Sequence, residues 1–344
     1  MKNKHFLTGS ETVIKAALAV GADYFFGYPI TPGTELLSLW AREADREPRL
    51  GFLQTEDEIA AGFAVVGAVL SGRLAFTATA GPGTILMQDA LVMAEAMRVP
   101  FVAVIIQRGG PSSGTVIYSQ QEVNLAIYGG NGEGMRLVYS PSNLDELYEH
   151  TVKAFQNAWK YRFPTLVLTD GFLMKTRTGV ETPEVKEKPQ NKPLVKLGAD
   201  VHLPNIYTFE EDLFKKVTDD AKDFEAMAKK VTEAESYKTA DARVLIVAHG
   251  LVGAAGKVAV DVLRAQKIKA GLFRPITLNP FPKKQLNQLA KKAKKIIVIE
   301  SSLGQLERMV KANLEVARPV EHYLRPALGI EVEEIIKFVK TSVS

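Results

Sequence analysis

The first half of the chain alternates short apolar runs with segments of helical periodicity. The runs at 23–29, 51–54, 74–80, 101–107, 136–140 and 165–170 read as strands. Most are continuously apolar rather than alternating, the pattern of a parallel sheet covered on both faces. Between them, Ser140-Pro-Ser-Asn-Leu-Asp-Glu146 opens a helix with a cap and early acids, and Leu144, Leu147, Tyr148, Thr151, Phe155, Ala158 and Trp159 then keep one face. Thr8-Gly-Ser-Glu11 has the form of a capping box. This alternation predicts a doubly wound α/β domain over 1–175.

The pattern changes over 176–240. Residues 180–196 are rich in Pro, Lys and Glu, as in an exposed connector. Residues 210–238 are charged, with apolar positions at Leu213, Phe214, Val217, Phe224, Met227 and Val231, and read as surface helices bridging two domains. From Arg243 the alternation resumes, with strands at 244–248, 271–276, 296–300 and 322–325. Helices are expected at 253–266, 283–294, 304–314 and 332–343. A second α/β domain is therefore expected over 241–344.

Composition narrows the chemistry. With 344 residues, 46% hydrophobic and 24% charged, the chain can build a sizeable core. Cysteine is absent, which excludes disulfides, a thiolate nucleophile and any cysteine-ligated iron–sulfur or zinc site. His5, His150, His202, His249 and His322 are scattered without i, i+4 spacing, so no metal is assigned to this chain. The net charge of +4 is uneven, with acids in excess over 1–175 and Lys and Arg in excess beyond. A solvated lysine-rich surface explains this more simply than nucleic-acid binding. No apolar run of signal-peptide length opens the chain. The most apolar segment, 59–70, is too short and too rich in Ala and Gly to span a bilayer. A cytoplasmic protein bound to neither membrane nor nucleic acid is expected.

In doubly wound folds, ligands sit at the carboxyl ends of the strands. Four such ends are polar or glycine-rich: 28–34, 54–61, 77–84 and 107–114. Pro32 suits a first helical position, which makes Thr31 an N-cap whose hydroxyl either only caps or also meets an anionic group. The Gly81-Pro82-Gly83 turn lets the backbone approach a ligand but lacks the spacing of a phosphate-binding P-loop. Arg108, at a strand end before two glycines, offers a fork for a carboxylate, or alternatively an ion pair. Glu56-Asp57-Glu58 opens a helix, where acids suit the dipole. Glu58 is followed by Ile-Ala-Ala-Gly, small residues that allow close packing and a buried interface with this carboxylate at its mouth. Burial there would raise its pKa and fit it to hold or pass a proton.

Glu58-Ile-Ala-Ala61 resembles the Glu-x-Ala-Ala pattern of pyrimidine-binding domains in thiamine diphosphate enzymes. Tyr28-Pro-Ile-Thr-Pro32, Thr79-Ala-Gly-Pro-Gly83, Gln107-Arg-Gly-Gly-Pro-Ser112 and Ile127-Tyr-Gly-Gly130 follow the order seen in alpha subunits of 2-oxoacid:ferredoxin oxidoreductases, most similar to the 2-oxoglutarate synthase type. Phe273-Arg-Pro-Ile-Thr-Leu-Asn-Pro-Phe-Pro282 resembles that family's transketolase C-terminal-like domain. The resemblance implies a pyrimidine-side thiamine diphosphate domain followed by that second domain. It also implies a beta subunit that holds the diphosphate through Mg²⁺ and carries a [4Fe-4S] cluster, with gamma and delta subunits as further partners. Glu58 would hydrogen-bond the aminopyrimidine, and Gly81, Pro82 and Gly83 would lie on the cofactor side. Thr31 and Arg108 would hold the 2-oxoacid carboxylate. The implied reaction is oxidative decarboxylation, with 2-oxoglutarate the leading substrate, electrons passing to ferredoxin and the acyl group to coenzyme A.

The chain departs from the pattern at Thr115-Val-Ile-Tyr-Ser-Gln-Gln121, where relatives of the 2-oxoglutarate type carry a cation. No Lys or Arg occurs between Arg108 and Arg136. Val116, Ile117 and Tyr118 either line a pocket for a less charged 2-oxoacid, such as pyruvate or a branched-chain acid, or belong to the core. A non-oxidative thiamine enzyme subunit and a non-catalytic scaffold are the competing classes. No Gly-Asp-Gly…Asn diphosphate motif is present, which weakens any reading of the chain alone as a complete thiamine enzyme.

Overall fold

The computed structural model describes residues 4–196, 198 and 200–343. Residues 1–3, 197, 199 and 344, at the ends and in the middle of the three expected segments, lie outside the described residues. A seven-stranded sheet runs in the order Thr277–Asn279, Leu137–Tyr139, Pro164–Asp170, Phe101–Gln107, Ala75–Thr79, Tyr24–Gly27, Gly51–Gln54. All neighbours are parallel except the first pair. Phe101–Gln107 and Pro164–Asp170 are buried at every position, which is why their sequences are continuously apolar.

The helix Leu144–Tyr161 covers one face. Asn143 caps it by accepting the Glu146 N–H at 2.9 Å, and the expected apolar stripe from Leu144 to Ala158 is buried. Thr8 and Glu11 form the expected capping box before Gly9–Val20. Trp40 is fully buried edge-on to Phe76 at 5.1 Å, and its indole N–H donates to the Gly51 carbonyl.

The second sheet has the order Val320–Leu324, Lys295–Glu300, Val244–Val247, Ala270–Pro275, Ala234–Tyr237. Two α/β units with doubly wound sheets are thus present, as the alternation predicts. The chain departs from the pattern in three places. Lys4–Thr8 pairs antiparallel with Arg177–Glu181 in a small separate sheet. Helix Glu210–Val231 ends before 238, and Ala234–Tyr237 instead joins the second sheet antiparallel to Ala270–Pro275. Third, Thr277–Asn279 leaves that sheet and becomes the antiparallel edge of the first. Proline at 275 and 280 punctuates the ladder on either side of this crossing. Asn279 anchors it by donating to the Gly134 and Arg136 carbonyls, both at 2.7 Å.

The two units are also joined by Arg274, whose fork donates to Glu146 at 2.9 and 2.6 Å while its Nε donates to Glu235 at 3.0 Å. No helix among the described residues is long and apolar enough to cross a membrane.

Candidate functional site

The four polar strand ends meet at the carboxyl edge of the first sheet, because Gly51–Gln54, Tyr24–Gly27, Ala75–Thr79 and Phe101–Gln107 are consecutive parallel neighbours. Asp57 caps the helix Glu58–Leu70 by accepting the Ala60 N–H at 2.7 Å. Gly62 on this helix lies so close to Ala90 that an added Cβ would stand 2.5 Å from the alanine methyl. The small residues after Glu58 therefore do allow close helix packing.

Glu58 itself is 3% exposed and accepts the Thr79 hydroxyl at 3.2 Å. Burial pushes its carboxyl above the ordinary range, and the Thr79 hydroxyl and the Arg108 charge only partly oppose this. Gly83 is packed against the same pair, since a Cβ there would fall 2.1 Å from both Glu58 Oε1 and Thr79 Oγ1. Gly81 has φ of 54°, a left-handed conformation, and the Arg108 side chain crosses where its Cβ would stand, 2.6 Å from Nε.

Arg108 is buried, its guanidinium donates to the Thr31 carbonyl at 2.8 Å, and its Nε is buried without a partner. Glu58, Gly81, Gly83, Arg108 and Thr31 are thus brought together in one cluster, with Pro82 in the turn between the two glycines. The expected cap at Thr31 is not formed. The helix begins at Thr34 after Gly33, with no side-chain cap bond, and the Thr31–Pro32 bond is cis. Thr31 is exposed and engages Arg108 through its carbonyl, so Pro32 lies outside the helix rather than at its first position.

One central residue escaped the sequence reading. Glu122 is 5% exposed, its Oε1 accepts the N–H groups of Gly81 at 2.9 Å and Arg108 at 3.0 Å, and its Oε2 accepts the Thr84 hydroxyl at 2.6 Å. Glu122 lies one residue beyond the 115–121 segment and stands in no motif. The same segment is folded onto the strand end, with Thr115 and Gly109 exchanging hydrogen bonds at 2.9 and 3.1 Å. Val116 and Ile117 are 47% and 39% exposed and line a cleft of about 350 Å³ with Phe172 and Leu328. Tyr118 is buried, stacked on Phe172 at 5.0 Å. Val116 and Ile117 thus face a surface cleft whose lining includes none of Glu58, Gly81, Arg108 and Thr31, and Tyr118 is its buried wall.

Asp170 ends the strand beside Gln107 and caps Gly171–Lys175 by accepting the Leu173 N–H at 2.9 Å. Burial pushes its carboxyl up to about 6, against these backbone donors. For an acid with a raised folded pKa, the stabilising protonated form is fully held below the unfolded pKa near 4. That contribution is lost as pH rises through about 6. The difference is about 3 kcal/mol. Asp170→Asn retains a capping oxygen and removes the titration. Its midpoint of thermal unfolding should gain on the wild type between pH 4 and pH 8, and parallel pH profiles of the two proteins would refute the assignment.

Among the described residues no cluster of three His, Asp or Glu side chains is arranged to hold a metal ion. The profile of the family described as pyruvate flavodoxin/ferredoxin oxidoreductase, thiamine diphosphate-binding, matches residues 15–244. That of pyruvate:ferredoxin oxidoreductase core domain II matches 242–332. The ketoisovalerate oxidoreductase subunit VorB of Methanothermobacter marburgensis is 34% identical over 315 residues, 88% of each chain. The 2-oxoglutarate synthase subunit KorA of Methanocaldococcus jannaschii is 34% identical over 346 residues, 90% of this chain and 93% of its own. A structure of 2-oxoglutarate:ferredoxin oxidoreductase from Magnetococcus marinus, with 2-oxoglutarate, coenzyme A and succinyl-CoA bound, superposes with a TM-score of 0.87 at 26% identity. The match covers 100% of this chain and 66% of that one. These relatives are subunits of multi-subunit oxidoreductases, and the motifs that gather Glu58, the Gly81 turn and Arg108 lie within the matched region. The chain belongs to the thiamine-diphosphate-dependent 2-oxoacid:ferredoxin oxidoreductase family, as a subunit of the alpha type.

Proposed function

We propose that this chain is the pyrimidine-side half of a thiamine diphosphate site shared with a beta subunit, in a cytoplasmic complex that oxidatively decarboxylates a 2-oxoacid. The observation that carries the reading is the buried Glu58 carboxyl, its pKa raised by burial, and the Arg108 fork packed on the same Gly81–Gly83 turn. The strand ends and following helices at the carboxyl edge of the first sheet also expose the apolar side chains of Tyr28, Leu53, Ile59, Ile85 and Leu86. This residue set suits an aminopyrimidine, which needs one carboxyl partner and apolar surface around it. The diphosphate and its Mg²⁺ need donors that the described residues do not cluster, and we assign them to the beta subunit with the [4Fe-4S] cluster.

Thiamine diphosphate supplies a carbon nucleophile toward the 2-oxo carbon and an electron sink for loss of CO₂. Glu58 holds and passes the proton at the pyrimidine. Gly81, Pro82 and Gly83 would form the cofactor-side turn, the missing side chains of the two glycines leaving room for Arg108 and for the Glu58–Thr79 pair. Arg108 receives the 2-oxoacid carboxylate in two parallel hydrogen bonds, with the backbone at Thr31 steadying the guanidinium. Electrons leave through the partner subunits to ferredoxin, and coenzyme A takes the acyl group. Gamma and delta subunits complete the assembly.

2-Oxoglutarate is the leading substrate, on the likeness to the synthase subunits and to the 2-oxoglutarate-bound neighbour. A second reading, an apolar 2-oxoacid, is favoured by the cleft at Val116 and Ile117, and VorB is named for such a substrate. Co-purification with the native partners, followed by viologen-dye reduction with a panel of 2-oxoacids, tests both. Dye reduction by the isolated chain would overturn the shared-site reading.

Arg108→Lys keeps the charge and loses the fork. In the complex it should lower kcat/KM for every 2-oxoacid by a similar factor, roughly 10- to 100-fold for charged hydrogen bonds. A loss confined to one substrate would remove Arg108 from the shared carboxylate. Ile117→Lys should raise the preference for 2-oxoglutarate over pyruvate. Indifference to it would show that this loop does not set specificity.

A further inference from the structure

We infer that Glu122 is a positioning residue that sets Arg108 and the Gly81 turn as one unit, and that the second domain holds Glu122 in place. The inference rests on the proposed roles of those two elements. Ala75–Thr79 and Phe101–Gln107 are neighbouring parallel strands, and their ladder stops where the site begins. Beyond that point the N–H groups of Gly81 and Arg108 have no strand partner, and a buried N–H must find another acceptor. One carboxylate oxygen of Glu122 accepts both, at 2.9 and 3.0 Å, and the other accepts the Thr84 hydroxyl at 2.6 Å. One side chain therefore ties the cofactor-side turn to the backbone of the arginine.

Nothing in the fold of the sheet requires an acid here. Burial disfavours the charge of Glu122, while three donors and the nearby Arg108 favour it. Burial prevails and raises the pKa of the Glu122 carboxyl, so an acid at this position is explained by the geometry that it imposes rather than by stability.

The segment that carries Glu122 is tied to the second domain on both sides. Gln120 accepts the Ser301 N–H at 2.9 Å and donates to the His249 carbonyl at 2.9 Å. Gln305 donates to the Gln121 carbonyl at 2.7 Å and accepts the Asn124 N–H at 2.8 Å. In these contacts the second domain touches neither Glu58 nor Arg108, yet it fixes the backbone on both sides of Glu122.

The test uses the assembled complex with Glu122→Ala, Glu122→Gln and Gln305→Leu. It measures KM and kcat for a 2-oxoacid, thermal midpoint, and amide hydrogen exchange in peptides that span Gly81 and Arg108. Glu122→Ala should raise KM about tenfold or more and speed exchange in both peptides together. Glu122→Gln should restore both, because its oxygen can accept the two N–H groups while its amide donates to Thr84. Gln305→Leu should shift exchange at Gly81 and Arg108 in the same direction, without touching either. A folded Glu122→Ala complex with wild-type KM and exchange overturns the inference. If that variant does not fold, unchanged exchange in Gln305→Leu overturns it. A wild-type complex with no 2-oxoacid-dependent activity would instead sink the functional reading, and the exchange measurements would still decide the clamp.

Discussion

Glu58→Gln in the assembled complex should cut turnover by about 10²-fold or more while leaving the fold intact. Glutamine is nearly isosteric and can still accept the Thr79 hydroxyl, so the local packing around Gly83 is retained. What is lost is a group that exchanges a proton, and general acid–base help is typically worth 10²- to 10⁴-fold. Stability should hold or rise at neutral pH, because burial penalises the charged carboxylate and the amide carries no such penalty. Falling activity with steady or rising stability is the signature of a functional group, not a structural one. Glu56→Gln and Asp57→Asn are the controls. Glu56 is exposed, and asparagine can replace Asp57 as the cap for Ala60, so both should act only on the helix terminus, by about 0.3–1 kcal/mol. Equal activity losses at the three positions would remove the special role of Glu58.

Arg136→Met should have the largest effect on stability, about 3–5 kcal/mol, the cost of leaving one partner of a buried ion pair unpaired. Arg136 is completely buried, and burial pulls its pKa down against the Glu95 charge. Its fork reaches Glu95 at 3.3 Å, Gln88 at 2.7 Å and the Gly129 carbonyl at 2.6 Å. The substitution strands the Glu95 carboxylate and frees the Gly129–Gly130 turn. Arg136→Met combined with Glu95→Leu should recover much of the loss, since an apolar pair replaces a buried ionic one at little cost. Guanidinium chloride unfolding of the two single variants and the double variant measures the coupling. Additive losses, or a single loss under about 1 kcal/mol, would show that the pair is not a unit.

The Ile127-Tyr-Gly-Gly130 motif has its physical explanation in this network. A Cβ at Gly129 would fall 2.2 Å from the Gln88 oxygen that Arg136 engages, and one at Gly130 would fall 2.2 Å from a Val92 methyl. In the sequence these glycines were legible only as part of a resemblance. The reason for them, close approach to a buried arginine 48 positions from Gln88, is a tertiary one.

Local physics made most of the fold readable. Runs such as Phe101–Gln107 are apolar at every position because both faces are covered, and the Thr8 and Asn143 caps act over three residues. Such signals need no knowledge of distant partners. Glu58 was legible for the same reason: an acid at a helix start, before small residues, states its burial locally. Arg108 at a strand end was legible too, though its contacts were not. Where sequence reading failed, a distant partner decided the outcome. Thr31 looked like a cap beside Pro32, but its carbonyl is claimed by Arg108, 77 positions on, and the helix starts later. Ala234–Tyr237 continued a charged helical pattern and became a strand, because Ala270–Pro275 offered it an open edge. Thr277–Asn279 sat inside a second-domain motif and completed the first sheet. Glu122 stood in no motif at all. Its role exists only because two strand ends, 41 and 14 positions away, leave their N–H groups facing the same point. Composition and periodicity thus determined two α/β units, and motif order the family. Which strands share an edge, and which carboxylate holds the site together, depended on contacts between residues far apart in the chain, for which local pattern carries no signal.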